Sequence, residues 1–293
     1  MGYHSFVKGI ILAGGTGSRL WPITKVISKQ LLPVYDKPMI YYPLATLMHA
    51  GVREILIITT PHDRSSFETL LADGSQFGVQ ITYEIQPKPE GLAQAFIIGE
   101  DFLDGESSLM ILGDNIFHGA GLGHELRNVI PDLGAHIFTY EVADHTQYGI
   151  LTLDDSGSPL AIEEKPKNSK SKLAVTGLYY FDKEAPRLAK TLQPSPRGEL
   201  EITSLIECYL NENILSYTAL SRGTAWLDTG NPNAMHDAAT YIRVIEERTG
   251  LKIACLEEIS WRNGWLSAED LQSASVRLGN SAYGKYLARL LHL

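Results

Sequence analysis

Immediately after an apolar run at residues 7–12, the chain reads Ala13-Gly14-Gly15-Thr16-Gly17-Ser18-Arg19, a segment rich in uncovered backbone N–H groups. Glycines obstruct little, so successive amides of such a loop can curl around phosphate oxygens as an anion nest. Arg19 adds a planar fork suited to two phosphate oxygens at once, and Lys29 follows as a second cation. Two better-known phosphate loops do not fit. A dinucleotide fingerprint starting at Gly15 needs Gly or Ala where the chain has Leu20, and a P-loop needs a Gly-Lys-Ser/Thr run that is absent. Taken alone, the segment suits a tight turn flanked by surface cations equally well.

Two carboxylates stand out next. Asp114 closes the apolar stretch SLMILGDN, and Asp228 follows Trp226-Leu227. Facing one another across a cleft, they are hard oxygen ligands of the kind Mg²⁺ takes together with substrate oxygens and water. An Asx turn at Asp114 and a helix cap at Asp228 are the competing readings. Gln86 presents a donor and an acceptor together, the complement of an imide edge, or else decorates a solvated turn. Glu163-Glu164-Lys165 before Pro166 reads as a charged turn, and Tyr179-Tyr180-Phe181 as a strand packing into the core. Serine, cysteine and histidine show no nucleophile spacing, and Cys208 and Cys255 lie in apolar surroundings as two reduced core thiols.

These groups need a frame. Apolar runs of strand length at 7–12, 54–60, 79–85 and 107–115 alternate with helical patterns at 40–51, 63–71 and 91–103. That alternation predicts an α/β, doubly wound sheet, mostly parallel, with ligands beyond the carboxyl ends of the strands. From about residue 135 the strands AHIFTYEV, YGILTLDDSG, LAIEEKP and AVTGLYYF extend the sheet and build the other wall of the cleft. A helix at 233–247 carries Ala234, Ala238, Tyr241, Ile242 and Ile245 on one face, and the tail is helical again at 268–291. The expected organisation is a catalytic unit over 6–240, with a nucleotide half at 6–134 and a sugar-phosphate half at 135–240. Residues 241–293 form a helical segment for packing, oligomer or regulatory contacts.

The segments LAGGTGSRLWPIT and SKQLLPVYDKPMIYYPL, followed in order by QPKPEGLAQAF, ILGDN, YGIL, EEKP, VTGLYYF, SPRGELEIT and AWLDTG, closely resemble the sugar-phosphate nucleotidyltransferases, in particular the thymidylyl-transferring branch. The likeness covers nearly the whole chain; Trp21 before the proline is its one mild departure. It implies a Rossmann-like mixed sheet in which Gly14, Gly15, Thr16, Gly17 and Arg19 hold a triphosphate, with Lys29 and Gln30 nearby. Gln86 and Gly91 would meet the base, and Leu12, Ser18, Pro89, Leu92 and Asp114 complete the nucleotide contacts. For the sugar 1-phosphate it points to Asn115, Tyr148, Gly149, Glu164, Lys165, Val175, Gly177, Tyr179 and Arg197. Arg19, Lys165, Asp114 and Asp228 become the catalytic set, with Mg²⁺ on Asp114 and Asp228. The implied substrates are dTTP and glucose 1-phosphate, giving dTDP-glucose and opening the synthesis of deoxysugars such as dTDP-rhamnose. A homotetramer under allosteric control is implied as well.

Composition narrows the alternatives. Among 293 residues, 44% are hydrophobic and 20% charged, as in a globular enzyme with a full core. A net charge of −9 with scattered Lys and Arg argues against a nucleic-acid partner. No apolar run approaches the roughly 20 residues of a membrane span, and no leader pattern opens the chain, so a cytoplasmic protein is expected. Met1-Gly2 suggests acylation, but Phe6 stands where Ser or Thr is required. A uridylyltransferase of the same family and a non-catalytic sugar-nucleotide sensor are the remaining rivals; Leu20 counts against a nicotinamide-dependent dehydrogenase.

Overall fold

The computed structural model describes residues 7–129 and 133–292. Phe6, the acylation reading and the start of the catalytic unit at residue 6 lie outside the described residues. In the first half come β1 (Val7–Ala13), the short β2 (Pro33–Val34) and β3 (Lys37–Pro38), α1 (Tyr41–His49), β4 (Glu54–Thr59), α2 (Arg64–Leu71) and β5 (Gln80–Ile85). They are followed by α3 (Gln94–Ile98), α4 (Glu100–Leu103), β6 (Ser107–Leu112), β7 (Asn115–His118) and α5 (Leu122–Asn128). The second half holds β8 (Ala135–Glu141), β9 (Gly149–Leu153), β10 (Pro159–Glu164), β11 (Leu173–Phe181), α6 (Ala185–Ala189), α7 (Ile202–Asn211), β12 (Leu215–Ala219), β13 (Ala225–Asp228) and α8 (Pro232–Thr249). The tail folds as α9 (Leu256–Arg262), α10 (Ala268–Leu278) and α11 (Ala282–Leu290).

The α/β expectation holds: one mixed sheet carries a parallel block, β6-β1-β4-β5, where the chain alternates strand and helix. β11 joins it antiparallel to β6 and links it to β8, β9 and β10, while β12 runs parallel to β8. Strand side chains point alternately to the two faces, so both faces of the parallel block must be apolar. Ile11, Ile55 and Ile57 accordingly pack with Leu44, Leu47 and Met48 of α1, whereas Ile10, Leu56 and Ile58 pack with Ala95 and Phe96 of α3. No described helix is long and apolar enough to cross a membrane.

Several expected boundaries shift for local reasons. The helix expected over 91–103 begins only at Gln94 and breaks at Gly99, because residues 90–93 bond to another segment: Leu200 N–H donates to Glu90 O at 2.7 Å and Ala93 N–H to Leu200 O at 3.1 Å. The strand expected to run through Asn115 stops at Leu112, and the chain turns at Gly113-Asp114 into β7. The cap of α8 is Asn231, whose side chain accepts from Ala234 N–H at 3.0 Å, and not Asp228. Helix α8 runs unbroken through residue 240, with Ala238 and Ile242 fully buried, so the expected division at 240/241 falls inside it. The tail is three helices rather than one stretch. α9 packs on α1, and Cys255, Leu271, Ala274, Tyr286, Leu287 and Leu290 form a small core of their own. Cys208 is half-buried and Cys255 buried, both as free thiols.

A histidine on β8 makes the fold pH-sensitive. His136 is buried between Ser216 Oγ at 2.8 Å and Thr218 Oγ1 at 2.9 Å, and burial pushes its pKa down to about 4. In the unfolded chain the imidazole takes a proton below about pH 6.5. Between those values the unfolded state binds more protons, so stability falls as pH is lowered from 6.5 towards 4, by about 3 kcal/mol in full. Denaturant unfolding of His136→Gln across this window should show a flatter profile than the parent; parallel profiles would exclude His136 as the source.

Candidate active site

A cavity of 640 Å³ opens at the carboxyl ends of the parallel strands and runs to the wall built by β9, β10 and β11. Its floor begins where β1 releases the glycine loop. A Cβ on Gly14 would stand 2.1 Å from Gln86 Oε1, so only glycine lets the Gln86 amide sit over this turn. Gly15 takes φ +98° with nothing within 4 Å of its missing side chain, which leaves its backbone open to the cleft. Gly17 serves a different purpose. Its left-handed backbone starts a 3-10 turn at Ser18–Leu20, and its carbonyl accepts Thr24 Oγ1–H at 2.7 Å. Leu20 anchors that turn in the core while Arg19 lines the cleft. Gly17 and Ser18 therefore do not reach the cleft wall, and Thr16 faces a smaller adjoining pocket with Ser28, Thr60 and Asp63.

Tertiary pairing brings the two aspartates together. β13 lies antiparallel to β7 with Asp228 opposite Asn115, and Thr229 clamps the Asp114 carbonyl through its N–H at 3.1 Å and its Oγ1–H at 2.7 Å. Burial would raise the carboxyl of Asp114, but the Lys29 ammonium paired with it and a hydrogen bond from Asn115 Nδ2 at 3.1 Å bring it below the usual range. Asp228 moves the other way, raised by burial and then by the charge of Asp114, against the pull of Lys29 and Arg19. Two mutually repelling carboxylates, Asp114 buried and Asp228 half-buried, with hard oxygens beside Arg19 suit a divalent cation shared with substrate. Gly230 leaves room for the arrangement: a Cβ there would lie 3.0 Å from Arg19 Nη2 and 3.1 Å from Asp228 Oδ1 and press on both.

The second half supplies the opposite wall. The register of β11 slips between Val175 and Tyr179, around Gly177, where a Cβ would come within 2.7 Å of the Asn115 amide. Trp226 Nε1–H donates to Asn115 Oδ1 at 2.6 Å, and the Tyr148 ring rests against Trp226 at 5.0 Å. Beside them Gly149 approaches the Thr203 methyl. Lys165 bends into the left-handed region at φ +46° and holds Tyr148 O through its N–H at 3.0 Å. Its ammonium meets Glu164 at 3.2 Å, while Arg197 reaches Glu201 at 2.8 Å and Glu164 at 3.3 Å.

Apart from Thr16, Gly17 and Ser18, every residue expected in the site lines this one cavity, including Leu12, Gln30, Pro89, Leu92 and Tyr179. Gln147, Glu199, Glu201, Ile202, Thr203 and Trp226 line it too and were not anticipated. Glu199, Glu201 and Trp226 stand inside the sequence segments SPRGELEIT and AWLDTG, so the signal was their neighbours' motif. Gly91, expected to let a base approach its backbone, lines the cavity and is also required by the fold: its φ is +110° and a Cβ would sit 2.3 Å from Leu200 O. Gly91→Ala should cost about 2–4 kcal/mol of stability through backbone strain and displacement of Leu200. A melting temperature within a degree of the parent would contradict this.

A glycine loop at the end of a parallel sheet, sharing one cleft with cations and carboxylates from both halves, is the arrangement expected of a nucleotidyl transferase. Residues 8–244 match the sequence profile of the family described as Nucleotidyl transferase. Glucose-1-phosphate thymidylyltransferases from Neisseria meningitidis and Mycobacterium tuberculosis are 52% and 51% identical to the chain, each across 97% of it and 99% of the relative. A structure from Bacillus anthracis described as that enzyme, in complex with sucrose, superposes with a TM-score of 0.75 at 40% identity, covering 81% of this chain and 95% of that one. UDP-glucose pyrophosphorylase in complex with UDP-glucose, at 23% identity and a TM-score of 0.72 over 82% and 99% of the two chains, shares the fold. The chain belongs to the nucleotidyl transferase family, among the glucose-1-phosphate thymidylyltransferases.

Proposed function

We propose that the protein transfers the thymidylyl group of dTTP to α-D-glucose 1-phosphate, giving dTDP-glucose and pyrophosphate, the first step of dTDP-deoxysugar synthesis. The observation that carries this reading is the single cavity that gathers Gly14, Gly15, Arg19 and Lys29 from the nucleotide half and Lys165 and Arg197 from the second half around Asp114 and Asp228. One end suits a triphosphate, the other a sugar phosphate.

A sugar phosphate has a second pKa of about 6, so at neutral pH its oxygen is already a nucleophile and needs no general base. The chemistry is an in-line displacement: the sugar phosphate oxygen bonds to the α-phosphorus of dTTP, the bond to the bridging α–β oxygen breaks, and pyrophosphate carries the electron pair away. The barrier is repulsion between two anions and charge growing on the leaving group. Arg19 and the amides of Gly14 and Gly15 take up the charge of the departing side. Lys165 exchanges Glu164 for the incoming phosphate, which frees Glu164 to accept hydrogen bonds from sugar hydroxyls, and Arg197 steadies the same phosphate. Gln30, Gln86, Pro89 and Leu92 frame the nucleoside; Asn115, Tyr148, Gly149, Val175, Gly177 and Tyr179 frame the sugar.

Asp114 and Asp228 are the residues that would hold Mg²⁺, whose role when bound is to neutralise phosphate charge. The β7–β13 pairing and the Thr229 clamp on the Asp114 carbonyl, which bring the two carboxylates to the same cleft, support that assignment. The working assembly in this reading is a cytoplasmic homotetramer regulated through the tail, which light scattering with and without sugar nucleotides addresses. The test of the activity is pyrophosphate release from a panel of NTPs with several sugar 1-phosphates. Fastest release from dTTP with glucose 1-phosphate supports the proposal. Preference for UTP would make the protein a uridylyltransferase, and binding without turnover would make it a sensor.

A further inference from the structure

A primary amide has two ends of nearly equal shape and opposite hydrogen-bonding character, so an amide that reads a base must be told which way to face. Gln86, 4% exposed at the end of β5, is told by a chain of two residues. Its Nε2 donates to Gln94 Oε1 at 2.7 Å, with a longer contact to Gly91 O at 3.5 Å. Gln94 is itself gripped at both ends by Glu90: its Nε2 donates to the Glu90 carboxylate at 2.8 Å, and its oxygen accepts the Glu90 backbone N–H at 3.3 Å. A carboxylate only accepts and a backbone N–H only donates, so the Gln94 amide cannot reverse without losing both contacts. The fixed polarity of Glu90 is thereby passed to Gln94 and from Gln94 to Gln86. The Gln86 oxygen is left over Gly14, at the cleft, and accepts no hydrogen bond among the described residues.

We infer that Glu90 and Gln94 are positioning residues that hold the Gln86 oxygen towards the nucleotide, so that the cleft selects a base with a ring N–H at its edge, as thymine and uracil have at N3, over cytosine. Cytosine presents an unprotonated ring nitrogen there, and two acceptors would face each other. The inference rests on the nucleotidyl-transfer reading and deepens it: neither residue touches substrate, and both act through Gln86.

Equilibrium binding of dTTP and dCTP, which does not depend on turnover, provides the readout. The parent protein should prefer dTTP. Gln94→Leu removes the acceptor that holds Gln86 Nε2 and should narrow the preference about tenfold, chiefly by weakening dTTP. Glu90→Gln, in an exposed loop, should narrow it in the same direction by letting the Gln94 amide turn. The double variant Glu90→Gln/Gln94→Glu restores the original polarity, because the new carboxylate accepts from both neighbours, and should recover most of the preference. A purely structural role would weaken both nucleotides alike and leave their ratio unmoved. An unchanged ratio in both single variants, a double variant no better than Gln94→Leu, or equal binding of dTTP and dCTP by the parent would overturn the inference. Parent protein that prefers dTTP yet releases no pyrophosphate in the presence of glucose 1-phosphate would instead reject the transfer reading alone.

Discussion

Asp228→Asn should lower kcat for pyrophosphate release from dTTP and glucose 1-phosphate by about 100- to 1000-fold while leaving the melting temperature unchanged or higher. The two halves of this expectation come from one fact. Asp228 is raised by burial and by the neighbouring charge of Asp114, so its ionised form is held in place at a cost to the folded state. An isosteric amide removes that repulsion and with it the carboxylate proposed to hold a divalent cation beside the substrate phosphates. A residue kept for stability would show the opposite pattern, with the fold weakened and turnover spared. Circular dichroism melts and initial rates on the same preparation separate the two; near-normal turnover would refute the role given to Asp228.

Arg19→Ala should be equally severe, about 1000-fold in kcat. Arg19 lines the cleft beside Gly230 and Asp228, on a turn anchored by the buried Leu20, and in the proposed reaction it meets the pyrophosphate side, where negative charge grows as the bond breaks. Because that charge develops mainly in the transition state, the loss should fall on kcat more than on KM for dTTP. Arg19→Lys should recover only part of it, since an ammonium cannot hold two phosphate oxygens in a planar fork. A rise in KM with kcat intact would make Arg19 a ground-state anchor only.

How much of this was legible in the sequence depended on whether a feature is local. The parallel strands were readable because burial on both faces makes them near-continuous apolar runs, as EILIIT of β4 shows. The glycine loop and the two aspartates were visible as residue types, and the family likeness assigned them roles. What joins Asp114 to Asp228 was not readable, because it is the pairing of β7 with β13, two four-residue strands far apart in the chain, the second only half-buried along its length. Gly91 was singled out for an approaching base, and the sequence did not show its second need, the backbone of Leu200 more than a hundred residues away. Gly230, the last residue of AWLDTG, was given no role, although a side chain there would press on both the Arg19 guanidinium and the Asp228 carboxylate. Glycines that serve a distant neighbour carry no local signature, whereas Gly15, which serves an open loop, does.

Stereochemistry at the α-phosphorus tests the account at its centre. The two substrates are held to react directly, with no group on the protein ever bonded to the nucleotide. With one diastereomer of an α-thio analogue of dTTP and glucose 1-phosphate, the account predicts product with inverted configuration at phosphorus. Retention would require two successive displacements through a nucleotidylated side chain, and would contradict it.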